Sequence, residues 1–394
     1  MPPLCVPKAR AREGGGCEAQ HAGLVSSDVR DQVRSVVLAH DYLLVMRGAE
    51  RSFAALCDLW PGAPIASLLY DDSIFGERLV GHDVRTSPLQ YLGARQATFK
   101  ALLPLMPWAA EQLDVSGHDL VISSSSAFAH GVRPDPEAVH VCYCYTPFRY
   151  AWYEREYGLA QAPRFARPLV AMTLSRIRKW DRQAASRGTY YIAISRISQQ
   201  RIARYWNVEA PIVYPPVELD RFSPGEPEDF VLVVCELVAH KRVDVALEAA
   251  RMAGVAVKVV GGGVDEQRLR ALYGRHAEFL GRIDDATLAS LYPRAKALVM
   301  PNVEEFGITA VEAQAAGRPV VAAAAGGALE TIVDGETGVL VTPGDVAALA
   351  VVLGDEQLAR FDPALAIANA QRFSVAAFGS RIRTHVDAAL AAKR

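Results

Sequence analysis

Asn302-Val-Glu-Glu-Phe-Gly-Ile-Thr-Ala-Val-Glu-Ala-Gln-Ala-Ala-Gly-Arg-Pro-Val320 reads as the turn of a β-α-β unit. An apolar run at 295–301 precedes it and another at 319–323 follows. Between them, 309–316 has helical character, and Gly307 supplies the turn from strand to helix. Glu304 then stands at the mouth of the strand and Glu312, eight residues on, within the helix. The main-chain amides of Gly307, Ile308 and Thr309 fall at the helix N-terminus, where unpaired N–H groups and the dipole favour a phosphate. A carboxylate only accepts hydrogen bonds, so Glu312 suits the two hydroxyls of a ribose cis-diol. Both glutamates equally suit a solvated helix start, where acids are common. Spacing alone leaves the two readings open.

Working outward, the same alternation continues along the chain. β-rich runs occur at 35–40, 65–70, 119–123, 139–145, 190–195 and 211–214, and again at 230–237, 255–260, 295–301, 319–323 and 338–342. Amphipathic stretches at 49–59, 243–252, 265–273, 285–292 and 309–316 lie between them. Nearly all-apolar strands separated by helix-length segments indicate parallel sheets covered on both faces. The expected fold class is α/β, two Rossmann-like domains facing one another across a cleft at the carboxyl ends of their strands. A proline-rich linker, Val213-Tyr-Pro-Pro-Val217 through Ser223-Pro-Gly225, separates the domains. The expected division is a disordered tail at 1–34, an N-terminal domain at 35–215, a C-terminal domain at 216–372 and a helix at 373–394 capped by Ser374.

The 394 residues, 51% hydrophobic and 22% charged, exclude a disordered chain and suffice for two cores. The net charge of −2 excludes a global pull toward nucleic acid. The stretch 1–34, with its Gly14-Gly15-Gly16 run, lacks the apolar segment of a secretory leader. Six sparse cysteines without a CxxC pair read as reduced thiols of a cytoplasmic protein. No His/Asp cluster suggests a metal site, and no cofactor is expected.

The opening stretch resembles the E-x7-E motif of retaining, GT-B-fold glycosyltransferases of family 4. Glu236-Leu-Val-Ala-His-Lys-Arg-Val-Asp244 is similar to that family's basic phosphate-binding segment, and Val259-Val-Gly-Gly-Gly263 to its second strand and glycine turn. Phe279-Leu-Gly-Arg-Ile-Asp-Asp285 resembles the loop near the nucleotide base, and Gly326-Gly-Ala-Leu-Glu330 with Gly335-Glu-Thr-Gly338 the closing block. His40-Asp-Tyr-Leu43, Gly48-Ala-Glu50 and Val141-Cys-Tyr-Cys-Tyr-Thr-Pro-Phe-Arg-Tyr-Ala-Trp152 resemble a bacterial branch described as mannosyltransferases of O-antigen and exopolysaccharide assembly. The motifs run in order from about 36 to 342.

The resemblance implies the roles. Lys241, with Arg242, would neutralise the leaving diphosphate, an effect strongest in a water-poor cleft. Phe306, Gly307, Ile308 and Thr309 would line the donor, Glu312 would hold the ribose, and Glu304 would lie against the transferred sugar. Arg282 and Ile283 would touch the base. His40, Gly48, Tyr145 and Arg149 would form the acceptor or sugar side. The donor would be a nucleotide diphosphate sugar, GDP-mannose favoured, and the acceptor a lipid-diphosphate-linked oligosaccharide. The C-terminal helix would cross back onto the N-terminal domain. Retention implies same-face displacement without a metal.

Three positions depart from the family pattern. Glu236 stands where arginine is usual, Tyr145 where the branch favours histidine, and Arg47 where the loop usually has its first glycine. They motivate the alternative of a catalytically weak or silent subunit. Finally, 149–204 holds twelve basic and three acidic residues, a local balance of +9. Within it Leu169, Val170, Leu174, Ile177 and Trp180 recur at roughly helical spacing beside Arg176, Arg178, Lys179 and Arg182. This pattern suits an interfacial helix on the anionic inner face of the plasma membrane, or an ordinary packed helix with a basic outer side.

Overall fold

The computed structural model describes residues 35–92 and 99–393. The tail expected at 1–34 lies outside the described residues. Six strands, β1 (Val36–Leu43), β2 (Ile65–Tyr70), β3 (Val84–Thr86), β4 (Leu120–Ser125), β5 (Val139–Cys144) and β6 (Tyr190–Ala193), form one sheet. Its order is β3-β2-β1-β4-β5-β6, with every pairing parallel. The second sheet has β7 (Phe230–Val234), β8 (Ala256–Val260), β9 (Ala277–Gly281), β10 (Ala297–Met300), β11 (Val320–Ala323) and β12 (Gly338–Val341). Its order, β12-β11-β10-β7-β8-β9, repeats the first and is also parallel. The strands carry almost unbroken apolar text because helices cover both faces. In each sheet the order reverses at one point, between β1 and β4 and between β7 and β10, and the following loops open there.

Two edge strands escape the sequence pattern. β3 has three residues, and β9 carries Glu278 among its five; each is an edge strand of its sheet and pairs on one side only. The strand expected at 211–214 is a single bridge between Ile212 and Ala193. Pro211, Pro215 and Pro216 lack the N–H groups that a ladder needs.

The chain crosses between the domains twice, side by side. Val217 donates its N–H to the Phe373 carbonyl at 2.9 Å and bridges Ser374. Ser374 then caps the helix Val375–Ala392, its hydroxyl accepting from the Ala377 N–H at 3.3 Å. That helix returns to the N-terminal domain. Phe378 packs edge-on to Tyr143 with ring centroids 5.4 Å apart, and His385 Nδ1 lies 3.1 Å from the Tyr190 hydroxyl. Lys393 donates to the carbonyls of Pro136 and Ala138 at 2.6 and 2.5 Å.

Candidate active site

Lys241 and Glu304 meet at the centre of the C-terminal domain's open edge. Lys241 ends the short turn Ala239–Lys241 after β7, and Glu304 lies in the loop after β10. The Lys241 Nζ donates to Glu304 Oε1, which also accepts from Asn302 Nδ2 at 2.9 Å. Both charged side chains keep about a fifth of their surface, 20% and 21%, open to solvent. Cys235 lies within this group of charges. Burial pushes its thiol up to about 12, Lys241 pulls it down, and Glu304 and Glu236 push it up.

The Glu304 loop is held by missing side chains. A Cβ on Gly326 would collide with the Glu304 carbonyl, and one on Gly327 with the Phe306 main chain. Gly327 donates its N–H to the Glu304 carbonyl at 2.9 Å. The close approach explains why glycine is required at both positions. Gly261 and Gly263 make the same kind of approach to the Cys235 and Leu237 carbonyls.

Gly307, at φ +90°, caps the helix Ile308–Ala315. Ile308 and Thr309 form its first turn, whose N–H groups point out of the helix. Glu312 lies one turn further on and accepts from the Tyr292 hydroxyl at 2.6 Å. Burial pushes the Glu312 carboxyl up, against the Tyr292 hydrogen bond and the charges of Arg51 and Arg221. Arg51 bonds Asp285 at 2.6 Å from across the domain boundary.

The remaining expected donor residues divide. Phe306 is a core residue, stacked on Tyr214 at 5.8 Å and edge-on to Phe373 at 5.4 Å, which leaves only its main chain for a ligand. An apolar ring beside a turn is drawn to the nearest core. Arg242, in the left-handed region at φ +50°, leans toward Asp244 at 3.7 Å. Arg282 is exposed beside Gly262, while Ile283 packs partly against the core.

The N-terminal domain presents its loops to this edge. Gly48 begins the helix Gly48–Leu59, and a Cβ there would stand 2.9 Å from the Ile308 side chain. Tyr145 is buried. Its hydroxyl donates to the Ala49 carbonyl at 2.8 Å and lies 3.0 Å from Ser124 Oγ, so it fixes the first turn of that helix instead of facing open space. His40 is buried against Phe53, with ring centroids 4.5 Å apart, and its Nε2 is 4.0 Å from Glu50. Arg149 is half-buried. Burial works against its charge, but Glu305 and neighbouring groups favour the guanidinium more.

Several residues lie within the quoted motifs but carry no role in the sequence reading. Glu305 accepts from Arg201 at 2.8 Å and from the Tyr153 hydroxyl at 3.3 Å, joining the two domains. Burial favours its protonated form, yet Arg201 and Arg149 hold it below the usual carboxylate range. Asp41 is buried and accepts from the N–H groups of Ser126, Ala127, Phe128 and Ala129 at 2.5, 2.9, 2.7 and 2.6 Å, and from the Ser126 hydroxyl at 3.0 Å. It pins the loop after β4. In the sequence it is marked by its place in His40-Asp-Tyr-Leu43, near the end of β1.

The basic segment also resolves into parts. The helix Arg167–Ala185 buries Leu174 and Ile177 in the core and half-buries Val170 and Trp180, so four of the five residues expected to meet lipid face inward. A different set faces out: Phe165, Leu169 and Met172 are 88%, 61% and 44% exposed, and Arg164, Arg167, Arg176, Lys179 and Arg182 are exposed along the same stretch. Among the described residues no helix is long and apolar enough to cross a membrane, and no three His, Cys, Asp or Glu side chains group as a metal site.

Residues 217–353 match the family described as Glycosyl transferases group 1. D-inositol 3-phosphate glycosyltransferase of Streptomyces avermitilis is 29% identical over 283 residues, covering 58% of this chain and 61% of that one. The protein of that name from Streptomyces scabiei is 35% identical over 177 residues, 36% of this chain and 40% of that one. GDP-mannose-dependent alpha-(1-6)-phosphatidylinositol monomannoside mannosyltransferase of Mycolicibacterium smegmatis is 32% identical over 196 residues, 41% and 51%. The chain therefore spans between 40% and 61% of the lengths of these curated relatives. HepE of Anabaena, solved in complex with UDP and glucose, superposes with a TM-score of 0.65 at 19% identity, covering 90% of this chain and 100% of that one. Sucrose-phosphate synthase of Thermosynechococcus elongatus superposes with a TM-score of 0.68 at 18%, covering 91% and 100%. The two parallel sheets are thus those of the GT-B architecture. Within it, the match to the glycosyl transferases group 1 family falls on residues 217–353.

Proposed function

We propose that this chain is a retaining hexosyltransferase. It takes a hexose from a nucleotide diphosphate sugar and passes it to a lipid-diphosphate-linked oligosaccharide of surface-polysaccharide assembly. The observation that carries the reading is the meeting of Lys241 with Glu304 beside the amino end of Ile308–Ala315, with Glu312 oriented by Tyr292 one turn away. A diphosphate in that position would draw the Lys241 ammonium and the first-turn amides, and charge growing on the leaving oxygen would be stabilised by both. The bond from the sugar's anomeric carbon to the diphosphate breaks. The acceptor oxygen bonds on the same face, and the departing phosphate takes the hydroxyl proton. Glu304 would then face the sugar and Glu312 the ribose.

Mannose from GDP-mannose is favoured by the Mycolicibacterium relative, whose name specifies that donor. Phe165, Leu169 and Met172, exposed in the same stretch as Arg164, Arg167 and Arg176, support docking on the anionic inner leaflet that holds a lipid-linked acceptor. Purified protein with membrane extract and labelled GDP-mannose, UDP-glucose or UDP-galactose should yield labelled lipid. Glu304→Ala should abolish that transfer. Because it frees Lys241, it should leave nucleotide affinity equal or higher.

A non-catalytic subunit that binds nucleotide sugar is the second reading, favoured by the commitment of the Tyr145 hydroxyl to the Ala49 carbonyl. It predicts nucleotide binding without turnover on any donor.

A further inference from the structure

Arg47 and Glu236, two of the three departures noted in the sequence, face each other across the cleft. Arg47 Nη1 stands 3.3 Å from Glu236 Oε2, and the two side chains are 52% and 42% exposed. They belong to different domains, 189 positions apart in the chain. An ion pair this exposed contributes little to stability, so fold maintenance does not account for it. Its surroundings are more informative. Arg47 directly precedes Gly48, which lies against Ile308 at the amino end of Ile308–Ala315. Glu236 adjoins Cys235, whose thiol feels Lys241, Glu304 and Glu236 together. One helical turn beyond Arg47, Arg51 is already bonded to Asp285 at 2.6 Å, so Arg47 is the more weakly held of the two.

Building on the proposed function, we propose that Arg47 is a donor-binding residue. Its guanidinium leaves Glu236 for the diphosphate of the bound nucleotide sugar, and Glu236 parks it while the site is empty. The charge that a residue at 236 would otherwise lend from the C-terminal domain comes from the opposite wall. An incoming anion repels Glu236 and attracts Arg47, so binding breaks the exposed pair and makes a charge-assisted, fork-shaped contact in its place. The same exchange joins the two domains through the ligand.

Titration calorimetry of GDP, UDP and the matching monophosphates tests this in the full chain. Arg47→Ala should weaken the tighter-binding diphosphate about tenfold and leave its monophosphate within twofold. Glu236→Gln removes the competitor and should tighten the diphosphate several-fold. Lys241→Ala serves as the reference for the proposed function. If it weakens the diphosphate while Arg47→Ala does not, the assignment of Arg47 is overturned and the transferase reading stands. If neither variant changes affinity, the donor site itself is misplaced and both fall. Geranylgeranyl diphosphate is the probe for the other source of this chemistry, the acceptor lipid. An effect of Arg47→Ala confined to that probe would overturn the donor assignment, as would weaker diphosphate binding by Glu236→Gln.

Discussion

Replacing Asp41 with asparagine should cost more than any single change at the exposed ion pairs. The carboxylate is buried at the end of β1 and accepts four main-chain N–H groups, two on each oxygen, plus one hydroxyl. Asparagine keeps one oxygen and turns an NH2 group toward two of those N–H groups. Hydrogen bonds to a charged acceptor are worth about 1.5–3 kcal/mol each, so losing two amounts to about 3–6 kcal/mol. That is a large part of the roughly 5–15 kcal/mol that holds a typical folded domain. Urea unfolding followed by near-ultraviolet circular dichroism should show an early transition of the N-terminal domain. Transfer should fall with it, because the pinned loop adjoins Ser124 and Tyr145, which set the Gly48 turn. A loss below about 1 kcal/mol would refute the claim that this carboxylate organises the loop.

Three further outcomes follow from the same geometry. Burial lifts the Asp181 carboxyl to about 7 against the pull of the Trp206 and Trp152 indoles, so its folded value lies above its unfolded one. Its contribution favours the fold at acid pH and fades as pH climbs through about 7. Asp181→Asn, whose single oxygen can accept both indoles, should therefore gain in melting temperature relative to the parent between pH 4 and 8, and a pH-independent difference would reject this. Tyr292→Phe frees Glu312 from its orienting hydrogen bond, worth about 1 kcal/mol, so calorimetry should show roughly fivefold weaker nucleotide binding with the fold intact. Gly327→Ala should abolish transfer, since its methyl would push on the Phe306 main chain and move Glu304; full activity would show that the loop tolerates displacement.

Much of the fold was legible because its signals are local. Runs such as Val320–Ala323 are strands whatever surrounds them, and a glycine at 307 ends one element as it opens the next. The relation of Glu304 to Glu312 was legible for the same reason, lying within one turn and one helix. What stayed hidden depends on partners far along the chain. Arg47 and Glu236 each look like an anomaly alone, and the partners of Glu305, Arg201 and Tyr153, lie 104 and 152 positions away in the chain. The amphipathic spacing of Leu174 and Ile177 gave an apolar face but not the surface it meets, and that face turned inward. β3 and β9 carry little strand text because no residue of either is fully buried and β3 has only three.

The paired crossings at Val217 and Ser374 work like the two pins of a door. Two segments joined side by side bend about one line more readily than about any other, so any swing of the leaves would turn about Val217 and Ser374. A molecule bridging the domains away from that line would act with a lever arm, so modest attraction there would latch the door. A mutation at the pins would stiffen or loosen every swing without touching a bound sugar.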